Sequence, residues 1–377
     1  MRVLMLNYEF PPIGGGAAPV TLELCKQLVQ AGHEVDVVTM QCGGLPTHEV
    51  LDGVQVHRVW SVRRRPDICH VWEMLSFMPG AMRTMKSLLR QRRHDVLHCH
   101  FIFPCGPLAW RIHRRCGVPL LVTCHGSDVP GYNPDRFRRA HWLLRPAWRR
   151  LVSRLPLLIS PSESLRDLLM QHCPTARVEV IPNGIFTSRF EPQPKDKAIL
   201  LCSRLLPRKG FQHVLAALRG VSSDWRVHVV GDGPYRAALE QQAAGLSMPV
   251  TFWGWLDQRS PRFRQLYESS AIFAFPSEAE NWPSVLLEAM SAGAAIVTST
   301  AGGCPEVVGQ TALLVEPGDV EGIRRALLRL MADEPLRRDL GEKARQRVEQ
   351  FTWNYIAAEY VARYERLRDG PDATGGH

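Results

Sequence analysis

The sequence predicts an α/β protein built from two doubly wound parallel-sheet domains, and three observations carry that reading. The chain has 377 residues, more than a single hydrophobic core usually supports. Short apolar runs of strand length alternate with helix-length amphipathic segments, the pattern of a parallel sheet covered on both faces. The alternation then starts again after a polar, proline-bearing stretch, EPQPKDK at 191–197.

In order along the chain, RVLMLNY (2–8) is an apolar run ending in the loop PPIGGGAAP. An amphipathic helix around Val20–Ala31 follows, then the strand HEVDVVTM, completing a strand-loop-helix-strand unit. Further strands are predicted at DVLHCH (95–100), PLLVTCH (119–125), LPLLIS (155–160) and VEVIPNG (178–184). In the second half the strands are AILLCS, RVHVVGDG, VTFWGW, IFAFPS and AAIVTST, with ligands expected where strand C-termini face an interdomain cleft. The reading divides the chain into 1–183, 184–352, a helix over 353–368 packing back toward the first domain, and a disordered tail over 369–377.

Composition narrows the function classes. No apolar run approaches the roughly 18 residues that span a bilayer, so the protein is expected to be cytoplasmic. Ten scattered cysteines contain no C-x-x-C pair, which suits reduced thiols and argues against a disulfide framework or a structural zinc. The net charge of +9 is uneven: residues 1–190 hold 24 Lys/Arg against 14 Asp/Glu, and residues 191–377 hold 22 against 23. The first half is thus expected to meet an acidic surface.

Several strand-end motifs carry candidate chemistry. Gly14-Gly15-Gly16 lets backbone N–H groups and a helix N-terminus approach a phosphate, or is a plain tight turn. As a dinucleotide fingerprint it fails, because Pro19 replaces the third glycine. Arg204, Arg208 and Lys209 sit in the loop after the second domain's first strand, a clamp for two phosphates or a solvated basic loop. Gly231 and Gly233 would permit close backbone approach. Pro283 opens a helix whose Ser284 and Val285 N–H groups lie at its positive end, with Glu280 in the loop before it and Glu288 inside it. Two such carboxylates can accept hydroxyls from two parts of one ligand, or be ordinary solvated acids. His98 and His100 share one face of a strand and Cys99 the other, which favours packing or acceptor contact over a metal site.

Taken together, HGSD (125–128), IPNG (181–184), SRLLPRKG (203–210), GDGP, ENWPSVLLEAM and AGGCPEVV (301–308), with the Gly-rich first loop, resemble the retaining glycosyltransferases of family four, which have the GT-B fold. The resemblance covers residues 3 to about 367. It implies two Rossmann-like domains facing a cleft, and transfer of a sugar from a nucleoside diphosphate to an acceptor hydroxyl with retained anomeric configuration. It implies that Glu280 holds donor-sugar hydroxyls, Glu288 the ribose, Arg204 and Lys209 the diphosphate, and Gly15 and Gly16 the same diphosphate by their amides. His125 would contact the donor sugar near the reacting carbon. No cofactor and no metal are expected, because Arg, Lys and amides neutralise the leaving group. The chain departs from the family's pattern at Asn281-Trp282-Pro283, where Gly-Phe-Gly is common, and at Ile185-Phe186 after IPNG. The first departure bears on the donor sugar, the second on an auxiliary contact.

Residues 136–154, RFRRAHWLLRPAWRRLVSR, contain seven arginines, two tryptophans and no acid. Arg138, Arg139, Trp142, Arg145, Trp148 and Arg149 are therefore candidates for an anionic membrane or a lipid-linked acceptor at the inner face of the plasma membrane. The alternative is a solvated basic helix whose tryptophans pack inward. Nucleic acid is not expected, since no nucleic-acid-binding module is recognisable. Polysaccharide or glycolipid synthesis is the expected setting, with a nucleotide-sugar epimerase or a non-catalytic sugar-nucleotide-binding protein as alternatives.

Overall fold

A computed structural model describes residues 1–66, 69–132 and 138–370, with the side chains of 138–142 left aside. Of the tail expected over 369–377, Asp369 closes the last helix and 371–377 lie outside the described residues, as do the side chains of Arg138, Arg139 and Trp142. The chain forms two compact units, one of Met1–Gly184 with the segment from Trp353 onward, the other of Ile185–Thr352.

The first unit holds an eight-stranded sheet: β1 (Arg2–Leu6), β2 (Glu34–Met40), β3 (His48–Leu51), β4 (Val54–Val59), β5 (Val96–His100), β6 (Leu120–Thr123), β7 (Leu158–Ser160) and β8 (Val178–Val180). Their order is β3-β4-β2-β1-β5-β6-β7-β8. All pairs are parallel except β3–β4, an antiparallel hairpin at the sheet edge. β1, β5 and β6 are buried on both faces, which is why they read as unbroken apolar runs. The helix Trp353–Asp369 lies on this unit, with Ile356, Ala357, Tyr360 and Tyr364 packed among Leu24, Cys25 and Leu28. Arg363 fastens it further through Glu179 at 3.1 Å.

The second unit contains β9 (Asp196–Cys202), β10 (Arg226–Val230), β11 (Val250–Gly254), β12 (Ser270–Phe275), β13 (Ala295–Ser299) and β14 (Ala312–Val315), in the order β11-β10-β9-β12-β13-β14. In each sheet the winding direction reverses once, between β1 and β5 and between β9 and β12. Loops leaving the C-terminal ends of those strand pairs diverge to opposite faces and leave a crevice, the position where open α/β sheets bind ligands. Strands β3, β4 and β14 lie outside the runs singled out from sequence. β3 and β14 are short edge strands with half-exposed residues, so their apolar signal is weak, whereas β4 lies inside the sheet and alternates buried with half-buried residues. No disulfide joins any of the ten cysteines, and nine of them are buried or half-buried.

Candidate functional site

The second unit brings two separated loops together at its β9/β12 crevice. After β9 the chain turns through the short 3-10 segment Pro207–Lys209, and after β12 it runs from Pro276 to the helix Ser284–Ser291. The Glu278 N–H donates to the Arg208 carbonyl at 2.8 Å, and Ser277 Oγ lies 3.1 Å from the same oxygen. This zipper places the Lys209 ammonium on Glu280 Oε1 in an ion pair, with Ser277 Oγ 2.7 Å from that oxygen. The Gly303 N–H holds the Glu280 backbone carbonyl at 3.0 Å. The family pattern assigns Lys209 and Glu280 to different parts of a donor, and the structure joins their side chains. Ser277 was not singled out from sequence, and nothing local marks it.

Glu288, about one turn into the helix, is 4% exposed. Its Oε1 is 3.8 Å from Arg189 Nη1, whereas Oε2 is buried without a well-aligned hydrogen bond, and the Tyr267 hydroxyl is the protein group that pulls on the carboxylate most. Burial raises the Glu288 pKa to about 7, against the opposing pull of Tyr267 and Arg189. A buried carboxylate oxygen without a well-aligned donor is costly, and is compensated when a ligand brings O–H groups to it. Arg189 is a further residue that sequence reading passed over.

Around this pair, Arg204 is exposed at the end of β9, Ser284 is exposed and Val285 half-buried. Pro283 caps the helix without any side-chain hydrogen bond, leaving its first-turn N–H groups uncapped by a side chain. Trp282, the departure from Gly-Phe-Gly, is turned inward and packs edge-on against Phe351, ring centroids 5.1 Å apart. Gly231 and Gly233 face the chain's own backbone. A Cβ on Gly231, whose φ is +124°, would lie 1.9 Å from the Ser203 carbonyl oxygen, and one on Gly233 would lie 2.3 Å from that of Leu205. Their bare Cα atoms admit the chain's own β9 loop, so backbone packing by itself requires glycine there.

In the first unit the Gly-rich loop also differs from expectation. The exposed Gly15 N–H donates to Glu9 Oε2 at 2.9 Å, and Glu9 is itself buried, its N–H donating to Asn7 Oδ1 at 3.0 Å. The amide assigned to a diphosphate is therefore held by a side-chain carboxylate at a helix N-terminus, where negative charge is favoured. Gly16 is the N-cap of the helix Ala17–Gln30 and makes no side-chain cap bond.

His125, at the end of β6, belongs to a buried chain of imidazoles. His98 and His100 stack with centroids 4.3 Å apart, and His100 Nδ1 is 2.9 Å from His125 Nε2. His98 Nδ1 meets the Tyr364 hydroxyl at 2.7 Å and its Nε2 meets Thr123 Oγ1 at 2.8 Å, so both nitrogens are engaged inside the protein. Burial holds His98 and His125 at about 3 and lowers His100 as well, keeping all three neutral. Their tautomers follow from the partners. His100 Nε2 lies 3.2 Å from Met5 Sδ, which can only accept, so Nε2 carries the proton and Nδ1 accepts. Thr21 gives its hydroxyl proton to the Ala17 carbonyl, so His125 Nε2 is the donor to His100. His125 Nδ1 is left as the acceptor. Asp128 sets the backbone beside it, accepting the His125 N–H at 2.9 Å and the Ile102 N–H at 2.7 Å.

The basic helix Arg138–Val152 carries exposed Leu143, Leu144, Arg145, Arg149 and Arg150. Trp148 is buried, the inward packing kept open by the sequence, and its indole N–H donates to the Asp128 carbonyl at 3.0 Å. Its ring therefore belongs to the unit's interior and not to an outward face. Among the described residues no helix is long and apolar enough to cross a membrane, and no cluster of three or more His, Cys, Asp or Glu side chains is placed to hold a metal ion.

Residues 14–189 match the family model described as Glycosyltransferase Family 4, and residues 196–333 match that described as Glycosyl transferases group 1. A GDP-mannose-dependent alpha-mannosyltransferase of Mycolicibacterium smegmatis is 30% identical over 393 residues, covering 97% of this chain and 98% of that protein. A phosphatidyl-myo-inositol mannosyltransferase of the same organism is 29% identical over 387 residues, covering 97% and 94%. Among solved structures, sucrose-phosphate synthase from Thermosynechococcus elongatus has a TM-score of 0.83 at 21% identity, covering 97% of this chain and 99% of that one, a likeness of GT-B fold. With both family models laid in order along its two units, and a relative matched from end to end, the chain belongs to the family 4, group 1 glycosyltransferases.

Proposed function

We propose that the protein is a retaining glycosyltransferase that moves a sugar from a nucleoside diphosphate to a hydroxyl of a lipid-linked or glycolipid acceptor at the inner face of the plasma membrane. The observation that carries this reading is the buried Oε2 of Glu288, without a well-aligned hydrogen bond and eight residues beyond a glutamate held by Lys209. A ribose diol supplies the two O–H donors that such a carboxylate accepts. Glu280 binds hydroxyls of the donor sugar, and His125 Nδ1 accepts another. Lys209 and Arg204 take the diphosphate, whose charge draws the Lys209 ammonium toward it.

As the bond from the anomeric carbon to the phosphate oxygen breaks, negative charge grows on the diphosphate and positive charge on the sugar ring. Fixed cations at the phosphate lower that barrier, since they stabilise charge that develops in the transition state. Both glutamates are engaged in binding, so the paired-carboxylate route of retaining glycosidases has no free nucleophile here. The departing phosphate oxygen takes the proton of the acceptor hydroxyl, which attacks the same face of the sugar. Lysine and arginine do the neutralising, so a divalent metal is not required. The arginine-rich helix of the first unit and the relative whose name carries a phospholipid support a lipid acceptor.

The test is mass-spectrometric turnover of UDP-, GDP- and ADP-sugars with a bacterial lipid extract and EDTA, followed by NMR of the new anomeric centre. The expected outcome is sugar on a lipid, one nucleotide released and the donor's anomeric configuration kept. Isomerised donor, inverted product or strict dependence on added metal would overturn the reading.

A further inference from the structure

The first unit contains a cavity of about 470 Å³ between the start of the helix Val71–Gln91, the helix Cys105–Cys116 and the helix Arg138–Val152. That is the size of pockets that enclose a small organic ligand. Its wall is carbon, with Met74, Ile102, Phe103, Trp110, Leu144 and Leu151 facing it. Two of the polar groups that reach it are already bonded. The Trp148 indole N–H is held by the Asp128 carbonyl, and the Asp128 carboxylate by two backbone N–H groups. Water inside such a wall finds few partners, whereas a hydrocarbon gains from leaving solvent.

The mouth is different in kind. Arg111, Arg150 and Arg154 line it and are exposed, the last with its guanidinium 5.7 Å from the Trp110 ring centroid. Among the described residues Asp128 is the one acid lining the cavity, and its carboxylate is taken up by the chain's own amides. Leu143, 70% exposed, and Leu144, 43% exposed, carry the apolar surface outward beside the arginines. A carbon-lined interior whose rim, among the described residues, carries three arginines and no acid matches a hydrocarbon chain ending in a phosphate. Asp128 ties the cavity floor to His125 through the backbone, so the inner end lies beside the strand end that bears His125.

We propose that this cavity holds the hydrocarbon chain of an anionic lipid, with Arg111, Arg150 and Arg154 on its phosphate. This rests on the lipid-acceptor reading above and names the part of that acceptor the protein grips.

Trp110 and Trp148 line the cavity, so intrinsic fluorescence reports occupancy. Dodecyl phosphate, titrated below its micelle concentration, is expected to bind saturably, and inorganic phosphate at the same concentrations is not. Ala147→Phe places a ring in the cavity from an exposed helix position and should weaken dodecyl phosphate binding at least tenfold, with far-UV circular dichroism unchanged. Arg150→Glu, also exposed, should weaken it comparably and lower its salt dependence. Equal binding by wild type and Ala147→Phe, or equal affinity for inorganic and dodecyl phosphate, would overturn the proposal. The titration contains no nucleotide sugar, so its failure is separable from a failure of transfer.

Discussion

Replacing Glu288 by glutamine should make the unliganded protein more stable at neutral pH while weakening its grip on nucleotide. The carboxyl sits at about 7 in the fold against an ordinary value of 4.5, because burial penalises its charge. The difference is about 2.5 units, and at 1.36 kcal/mol per unit the charged form costs about 3 kcal/mol. The sign follows from proton linkage. Between 4.5 and about 7 the folded chain keeps a proton that the unfolded chain has lost, so stability falls as pH rises through that window and levels above it. Glutamine is neutral throughout and escapes the loss. Glu288→Gln should therefore match wild type near pH 4.5 and exceed it at pH 8 by about 3 kcal/mol, or roughly 6–12 °C in Tm for a unit of this size. In the role proposed for Glu288 the ionised carboxylate accepts ribose hydroxyls, so wild-type affinity for nucleoside diphosphate should rise with pH up to about 7, and the variant should lose both that trend and about 10- to 100-fold in affinity. Thermal melts and isothermal titration across pH 5–8 check both arms. A stability difference that does not vary with pH would refute the assignment of a buried, uncompensated charge to Glu288.

Three further outcomes follow from the same contacts. Lys209→Ala should weaken nucleoside diphosphate binding by about 10- to 100-fold, the worth of a charge-assisted contact, whereas Glu280→Gln should depress kcat and spare that affinity, as read by titration and steady-state kinetics. His100→Leu removes the acceptor for His125 Nε2–H and releases its tautomer; transfer should fall about tenfold and His100→Gln should restore most of it, judged by kcat. Asp36 is buried and accepts from His57 at 2.9 Å and His94 at 3.0 Å, bonds that overcome the burial penalty and hold its carboxyl well below 3.8. That contribution is complete above pH 3.8 and is lost as pH falls through the depressed value, and Asp36→Asn should cost about 3 kcal/mol in urea unfolding at pH 7.

The sequence by itself determined the two parallel-sheet units, the strand-end positions of the Gly-rich loop, His125 and Lys209, and the spacing of Glu280 and Glu288 on either side of a helix start. These are local properties: apolar runs, turn residues and one-turn periodicities are written in neighbouring positions. The tertiary structure alone decided which groups touch. Lys209 and Glu280, 71 positions apart, meet because β12 inserts beside β9, and no local pattern encodes that adjacency. His98 reaches Tyr364 across 266 positions because the last helix lies on the first unit. Glu9 on the Gly15 amide, Trp148 turned inward onto Asp128, and the burial of Glu288 Oε2 are likewise settled by packing, since a charged or aromatic side chain has the same sequence signature whether it is solvated, paired or buried.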